Sequence, residues 1–546
     1  MDAATTVILL MLAVTVFALL ASKIGIPYPT MMVIGGLAIC FVPTILAGKT
    51  IQSFEIPPSL IFTIFLPPLL YGAAWQISWK EFWASRRPIF LLAVGLVLFT
   101  TAGVAGLAML IIPGFTWATA FVLGAIVSPP DALAVTVIAK KLHLPRKLVM
   151  MLEGESLVND ASALVALKFA LEAANTGHFS LFQAAGQFVI VSAGGVLLGL
   201  AIGWTVCAIH KRLRDPLIEI TVTFLTPYAA YLLGEEIHVS GVLATVAAGL
   251  YVSWQAPIIM KPEVRIEANA VWNFVQFIMN GFVFVFVGLL LPSVVGALAS
   301  ANFTTWELIS YGTLLSIGIV FLRMAWVVPG TFLPWLLVKK VRRTEQRPSV
   351  RRALLVGWTG MRGVVSLAAA LALPETLMNH GRAVLDDKGA AVAFPNRGLI
   401  IYLAFFVILV TLVAQSLTMP AVVKFLKVTS AEDEAAEERE ARLYAARAAL
   451  TFLRDLTEAT DAFGNVGLEL RSDYERRIKH LESGPIALPI ELVGIDTSEM
   501  DVQRETISIE RQAVIEMRAN QKISIEIYQR LMTEIDAAEV RLPGRR

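Results

Sequence analysis

Apolar stretches of 18 or more residues recur along most of this 546-residue chain, and each is long enough to cross a hydrocarbon core about 30 Å thick. A bilayer core offers peptide groups no outside hydrogen-bond partner, so segments of this kind are read as membrane helices. Thirteen spans are predicted. They lie at approximately 5–22, 28–47, 58–75, 88–112, 115–139, 148–173 and 184–209, then at approximately 217–234, 239–256, 267–291, 307–335, 353–374 and 397–420. Hydrophobic types make up 56% of residues and charged types only 16%, against roughly 25% charged in soluble domains. The expected fold is an all-α polytopic membrane protein, and a soluble enzyme is excluded. The first run lacks a basic leading region, since Asp2 is acidic, and is longer than a signal-peptide core; it is read as the first membrane helix.

Charge is unevenly divided. Residues 431–546 hold 24 acidic and 16 basic residues, a net of −8, whereas the first 430 carry a net of +10. A membrane domain at 1–428 is therefore expected to be followed by a polar helical tail at 429–546. Helices are predicted over 431–457 and about 501–534, with a loop around Gly484-Pro485 and Pro489 between them; Ile507, Val514, Ile515, Ile525 and Leu531 are the apolar positions of the second helix. Loops on one side of the spans, from Lys23 to the cluster between Lys339 and Arg352, hold 20 basic residues, and the opposite loops hold 4. The positive-inside rule then puts the N-terminus outside and the tail in the cytoplasm. These short basic clusters give no support to nucleic-acid binding. Cys40 and Cys207 lie in apolar segments without a Cys-x-x-Cys pair and are read as packing residues.

An odd span count permits an inverted repeat in which spans 1–6 match spans 8–13. Span 5 is interrupted by Ser128-Pro129-Pro130-Asp131, and its counterpart, span 12, by Gly357-Trp358-Thr359-Gly360-Met361-Arg362-Gly363. Matching helices broken by proline in one half and glycine in the other point to a binding site at the midplane.

Ionisable groups inside the bilayer cost at least about 2.5–3.5 kcal/mol each at a helix centre, so those present need a reason. Asp131 lies in span 5, Glu153, Glu155, Asp160 and Lys168 in span 6, Arg323 in span 11 and Arg362 in span 12. Ser156 and Asp160 are four apart and share a helical face. Together they offer hard oxygens, which suit an alkali cation and not zinc or copper. Glu153 lies on the same stripe nearer the cytoplasmic end. Glu155 and Asn159 form a second polar face, where Glu155 is placed to meet a cation from another helix. Arg323 is expected in an ion pair with Glu155 or Glu153, and Lys168 to snorkel outward. A partly desolvated carboxylate holds a proton or a cation but not both. With alternating access, that competition at Asp160 is enough to make an exchanger, with Asp131 adding a second oxygen beside freed backbone carbonyls.

Gly154 to Ala161, GESLVNDA, resembles the signature of the electroneutral branch of the monovalent cation/proton antiporters, the bacterial and animal sodium/proton exchangers. Ser128 to Val135, SPPDALAV, is similar to that family's crossing-helix motif, Leu66-Pro67-Pro68-Leu69 to its span 3, and Gly360-Met361-Arg362-Gly363 to its span 12. The resemblance implies that Asp160 is the cation- and proton-binding carboxylate, Ser156 a ligand, and Asp131 a further ligand or organiser. It also implies that Asn159 stabilises the crossing beside Pro129 and Pro130, and that Glu155 pairs with Arg362. The family often places threonine or valine before the crossing-helix aspartate and proline after it; here Pro130 precedes and Ala132 follows, so no threonine side chain serves at 130.

The resemblance further implies a homodimer in which a core bundle, about 88–173 and 307–427, moves against a scaffold, about 1–75 and 217–291. No cofactor is implied, only transported Na+ or a similar monovalent cation and H+. Asn159 stands where the electrogenic branch typically has a second aspartate, which points to one-for-one, electroneutral exchange. The expected location is the cell's inner (plasma) membrane. Two other readings are carried: a potassium/proton antiporter of the same fold, and an intramembrane aspartyl protease using Asp131 and Asp160. The protease reading lacks a Gly-x-Gly-Asp arrangement around either aspartate.

Overall fold

The computed structural model describes residues 3–47, 61–77, 79–142, 144–176, 181–296, 298, 303–339, 342, 347–379, 382–384, 391–428, 431–459, 464–483, 497–519, 522–523 and 525–540. Two compact units result, Met1–Val428 and Thr429–Arg546. Among its described residues the first is helical apart from a short antiparallel ladder, Met378–Asn379 with Arg382–Ala383, and two isolated bridges. Its helices are α1 (Ala3–Ile24), α2 (Tyr28–Ala47), α3 (Leu66–Gln76), α4 (Arg86–Ile111), α5 (Trp117–Val127), α6 (Ala132–Lys141) and α7 (Arg146–Thr176). They continue as α8 (Leu181–His210), α9 (Pro216–Glu236), α10 (Gly241–Ile259), α11 (Pro262–Leu289), α12 (Thr305–Leu337), α13 (Val350–Trp358), α14 (Val364–Leu371) and α15 (Arg397–Leu426). A helix falls on every predicted span; the first residues of the third, 58–60, lie outside the described ones.

Among the described residues, eight helices are long and apolar enough to cross a membrane. The elements that fall short include those that matter most below. Predicted spans 5 and 12 are each split into two half-helices of at most 11 residues. The long α7 carries Glu153, Glu155, Asp160, Lys168 and Glu172.

Lipid tails are as apolar as leucine, so helices in a membrane associate through close packing and not through exclusion of water. Gly195, Gly199 and Gly203 recur every four residues on one face of α8, and side chains there would strike Ser240, Ala244 and Tyr251 along α10. Missing Cβ atoms let these two backbones approach. Cys40 and Cys207 are buried and form no disulfide.

The second unit contains α16 (Ala431–Ala459), α17 (Gly464–Ser483), α18 (Thr497–Ala519) and α19 (Ile525–Val540). The single helix predicted over 501–534 is thus two, and between them the Lys522 amide donates back to the Met517 carbonyl. The predicted loop at Gly484-Pro485 and Pro489 lies outside the described residues. Ile507, Val514 and Leu531 enter the apolar core with Ala441, Ala445 and Met517. Ile515 is exposed, because it is turned about 100° from Val514. Arg442 bridges Glu438 and Glu534 at 2.8 and 2.7 Å, and Arg477 meets the buried Glu510 at 2.8 Å.

Candidate functional site

Proline at 129 and 130 supplies no backbone N–H, so the chain cannot continue α5 through this point. It runs extended into Asp131, whose Oδ1 accepts from the Leu133 amide at 2.8 Å and so caps α6. The second break, Thr359 to Gly363, separates α13 from α14. These two non-helical segments meet: Pro130 and Arg362 form an antiparallel bridge, and the Asp131 amide donates to the Met361 carbonyl at 2.7 Å. Peptide groups freed from one broken helix are thereby satisfied by the other, as a low-dielectric interior requires.

Charge at the crossing follows the polarity of the half-helices. The Arg362 Nε donates to the Val127 carbonyl at 2.8 Å, and its guanidinium also donates to the Gly360 carbonyl. The first carbonyl ends α5 and the second lies just beyond α13, at helix C-termini where a cation is favoured. Asp131 sits at the opposite poles. It caps α6, and a Cβ on Gly363, the N-cap of α14, would run into its carboxylate. Arg362 therefore sits by the C-terminal ends of α5 and α13, and Asp131 caps α6 and stands close to the start of α14.

The third layer is α7. Asn159 Nδ2 donates to the Pro130 carbonyl at 2.6 Å, and Ser156 Oγ accepts from the Ala132 amide at 3.2 Å. Glu155 is 1% exposed and lies in a two-pronged ion pair with Arg323, at 2.6 and 2.9 Å. Arg323 Nε also donates to the Val356 carbonyl at 3.1 Å. This corrects the Glu155–Arg362 pairing implied by the resemblance. Arg323 occupies both carboxylate oxygens, while Arg362 is committed to backbone carbonyls and its amide to Thr411 Oγ1.

A cavity of about 150 Å³ opens against this crossing. Asp131, Ser156, Asp160, Glu153 and Pro129 line one part of it, and Gln276 and Asn280 of α11 another. Asp160 is 9% exposed. Among the described residues no basic side chain pairs with Asp131 or Asp160, and no cluster of three His, Cys, Asp or Glu suited to a divalent or transition metal is present. Asp131 and Asp160, beside a largely apolar cavity and without an internal counter-charge among the described residues, need a positive species from outside. Of the singled-out residues, Arg323 and Glu155 stand behind the crossing, and Lys168 lies 3.8 Å from Glu235, well exposed. Gln76, Thr136, Gln276, Asn280 and Ser366 also line the cavity and were missed, because a search for ionisable groups passes over neutral amides and hydroxyls.

A family model described as sodium/hydrogen exchanger, transmembrane, matches residues 8–425. The chain is 32% identical over 511 residues, 90% of its length and 73% of the relative's, to a sodium, potassium, lithium and rubidium/H(+) antiporter of Bacillus pumilus. It is 30% identical over 539 residues, 98% of its length and 95% of the relative's, to an uncharacterized Na(+)/H(+) exchanger of Mycobacterium bovis. Its fold is similar to that of the sodium proton antiporter MjNhaP1 from Methanocaldococcus jannaschii, with a TM-score of 0.60 and 20% identity, covering 78% of this chain and 98% of that one.

Proposed function

This chain belongs to the sodium/hydrogen exchanger family, and on that premise we propose that it exchanges a monovalent cation, Na+ before Li+ or K+, for H+ at one shared carboxylate, Asp160. The observation that carries this reading is the cavity at the crossing, lined by the Ser156 hydroxyl and by Asp131 and Asp160, neither of which has a basic partner among the described residues. Hard oxygens around a small space suit an alkali cation. A desolvated carboxylate that loses the cation must take a proton, and alternating exposure of that site turns competition into exchange. Asp131 and Ser156 serve as further ligands, with Pro129, Pro130 and Asn159 setting their positions. Family membership sets aside the protease reading: relatives of this family are secondary transporters and not enzymes.

Several finer features belong to the same proposal. The antiparallel sense of the Pro130–Arg362 bridge supports two halves inserted in opposite directions. The core bundle comprises α4–α7 and α12–α15, and the scaffold α1–α3 and α9–α11. The protein works as a homodimer in the inner (plasma) membrane with its N-terminus outside and its tail in the cytoplasm, as the loop charges support. Purified protein in proteoliposomes with an internal pH dye, given Na+, Li+ and K+ in turn, tests the reading. Wild type is expected to move protons on cation addition, and Asp160→Asn to lose this entirely while remaining folded. Cation-driven proton movement retained by Asp160→Asn would remove Asp160 from the role of shared site.

A further inference from the structure

From Asn269 onward, α11 is apolar except for four carboxamides and its glycines. Asn269, Asn273, Gln276 and Asn280 are spaced four, three and four residues apart, which puts them on one stripe of the helix. The first three are tied to the end of α3. Asn269 Oδ1 accepts from the Trp75 indole at 2.7 Å, and Gln76 Nε2 donates to Asn273 Oδ1 at 3.1 Å and to Gln276 Oε1 at 2.8 Å. These contacts join two helices and need no ligand to explain them.

Asn280 differs. It is 6% exposed, has no hydrogen-bond partner among the described residues, and lines the same cavity as Asp131, Ser156 and Asp160. No protein group among the described residues answers this carboxamide and it opens onto the cavity, so its partner is a polar species that enters there. We propose that Asn280 is a specificity-determining residue for the transported cation: its carboxamide oxygen coordinates the partly dehydrated ion from α11 while Asp160 holds it from α7. This rests on the exchanger reading of the same site.

The chemistry fits the task. An amide oxygen is hard and neutral, so it replaces part of an alkali ion's hydration without adding a second titrating group. A proton on Asp160 gains nothing from that oxygen beyond an ordinary hydrogen bond, whereas a cation gains a coordination site. Asn280 therefore favours the cation over the proton in their competition. It is also carried by a different helix from Asp131, Ser156 and Asp160, so its contribution depends on how α11 stands against the crossing.

The test uses the full chain in proteoliposomes and reads the cation dependence of exchange for wild type, Asn280→Ala and Asn280→Asp. The expected result is a KM for Na+ raised about three- to ten-fold in Asn280→Ala, the size of losing one contact to an ion in a partly solvated site, with maximal rate within about two-fold of wild type. Asn280→Asp is expected to lower that KM and to make it fall further as pH rises. Should Asn280→Ala not fold, the Asn280→Asp arm alone decides, since a structural amide gives no reason for tighter cation use. Unchanged KM values in a folded variant overturn the proposal for Asn280 and leave the exchanger reading intact. Absence of cation–proton exchange in wild type overturns that reading first.

Discussion

At the scale of single residues, the ion pair behind the site separates packing from transport. Arg323 and Glu155 are each 1% exposed and joined at 2.6 Å. Removing one partner leaves a buried charge unpaired, at a cost of about 3–5 kcal/mol. Arg323→Ala is therefore expected to lower the thermal midpoint sharply and reduce the yield of monodisperse protein. Changing both residues to leucine recovers part of the loss, because the stranded charge disappears with its partner. Lys168→Ala provides the contrast: its contact with Glu235 is 3.8 Å long and exposed on both sides, so the effect falls within about 1 kcal/mol. Midpoints measured by fluorescence-detected size exclusion check all three, and an Arg323→Ala variant as stable as wild type would deny the pair its structural role. Glu155→Gln weakens the same pair and belongs in the same series. Arg362→Ala acts elsewhere, by leaving the Val127 and Gly360 carbonyls without their cation.

At the scale of elements, what matters is that two interrupted helices cross closely enough to share backbone hydrogen bonds. Gly363 is where that closeness is tightest, since a methyl group there would overlap the Asp131 carboxylate. Its backbone is extended and acceptable to any residue, so space and not conformation demands glycine. Gly363→Ala is expected to lose at least about ten-fold in exchange rate while keeping its helix content, because a displacement of about 1 Å at a ligand is costly. Gly106→Ala, with open space around it, should match wild type at equal protein density in the vesicles. Equal rates for both variants would mean that Asp131 need not sit where the crossing holds it. The breaks themselves were legible in the sequence, because Pro129-Pro130 and the glycines around Arg362 act locally on their own helices. The partner of Glu155 was legible only as alternatives, Arg323 from the residues and Arg362 from the resemblance. Arg323 and Arg362 are both lone arginines in apolar spans, and separation along the chain says nothing about which one reaches across 168 residues. The carboxamides of α11 escaped notice for a different reason: neutral groups leave no mark on a charge pattern. In the tail, alternation of apolar and charged residues revealed helices but not the end of one at Ala519, beyond which the Lys522 amide donates back to Met517 and the Ile523 carbonyl accepts from Arg518.

At the scale of the whole molecule, the question is whether a cycle moves net charge across the membrane. Position 159 bears on it directly. The Asn159 amide donates to the Pro130 carbonyl at 2.6 Å, and an ionised carboxylate in its place would have no proton to give and would face an oxygen instead. Asparagine therefore both fixes the crossing and removes a titrating group from it. Of the two aspartates at the crossing, Asp131 is committed to capping α6 through the Leu133 amide. Asp160 has no such commitment among the described residues and is the one expected to alternate between cation and proton. Exchange of one cation for one proton, as proposed, would then leave the membrane potential without leverage. An electrogenic cycle carrying one net charge would gain about 2.3 kcal/mol per 100 mV, which is about fifty-fold in the gradient it can sustain. At fixed Na+ and pH gradients, a potential of about 100 mV imposed on vesicles by a potassium ionophore is expected to change the initial rate by less than about two-fold, and to leave the final pH gradient where it was. A steady gradient that shifts with the imposed potential would mean that a second group shares the proton traffic, and Asp131 would be the first residue to replace in search of it.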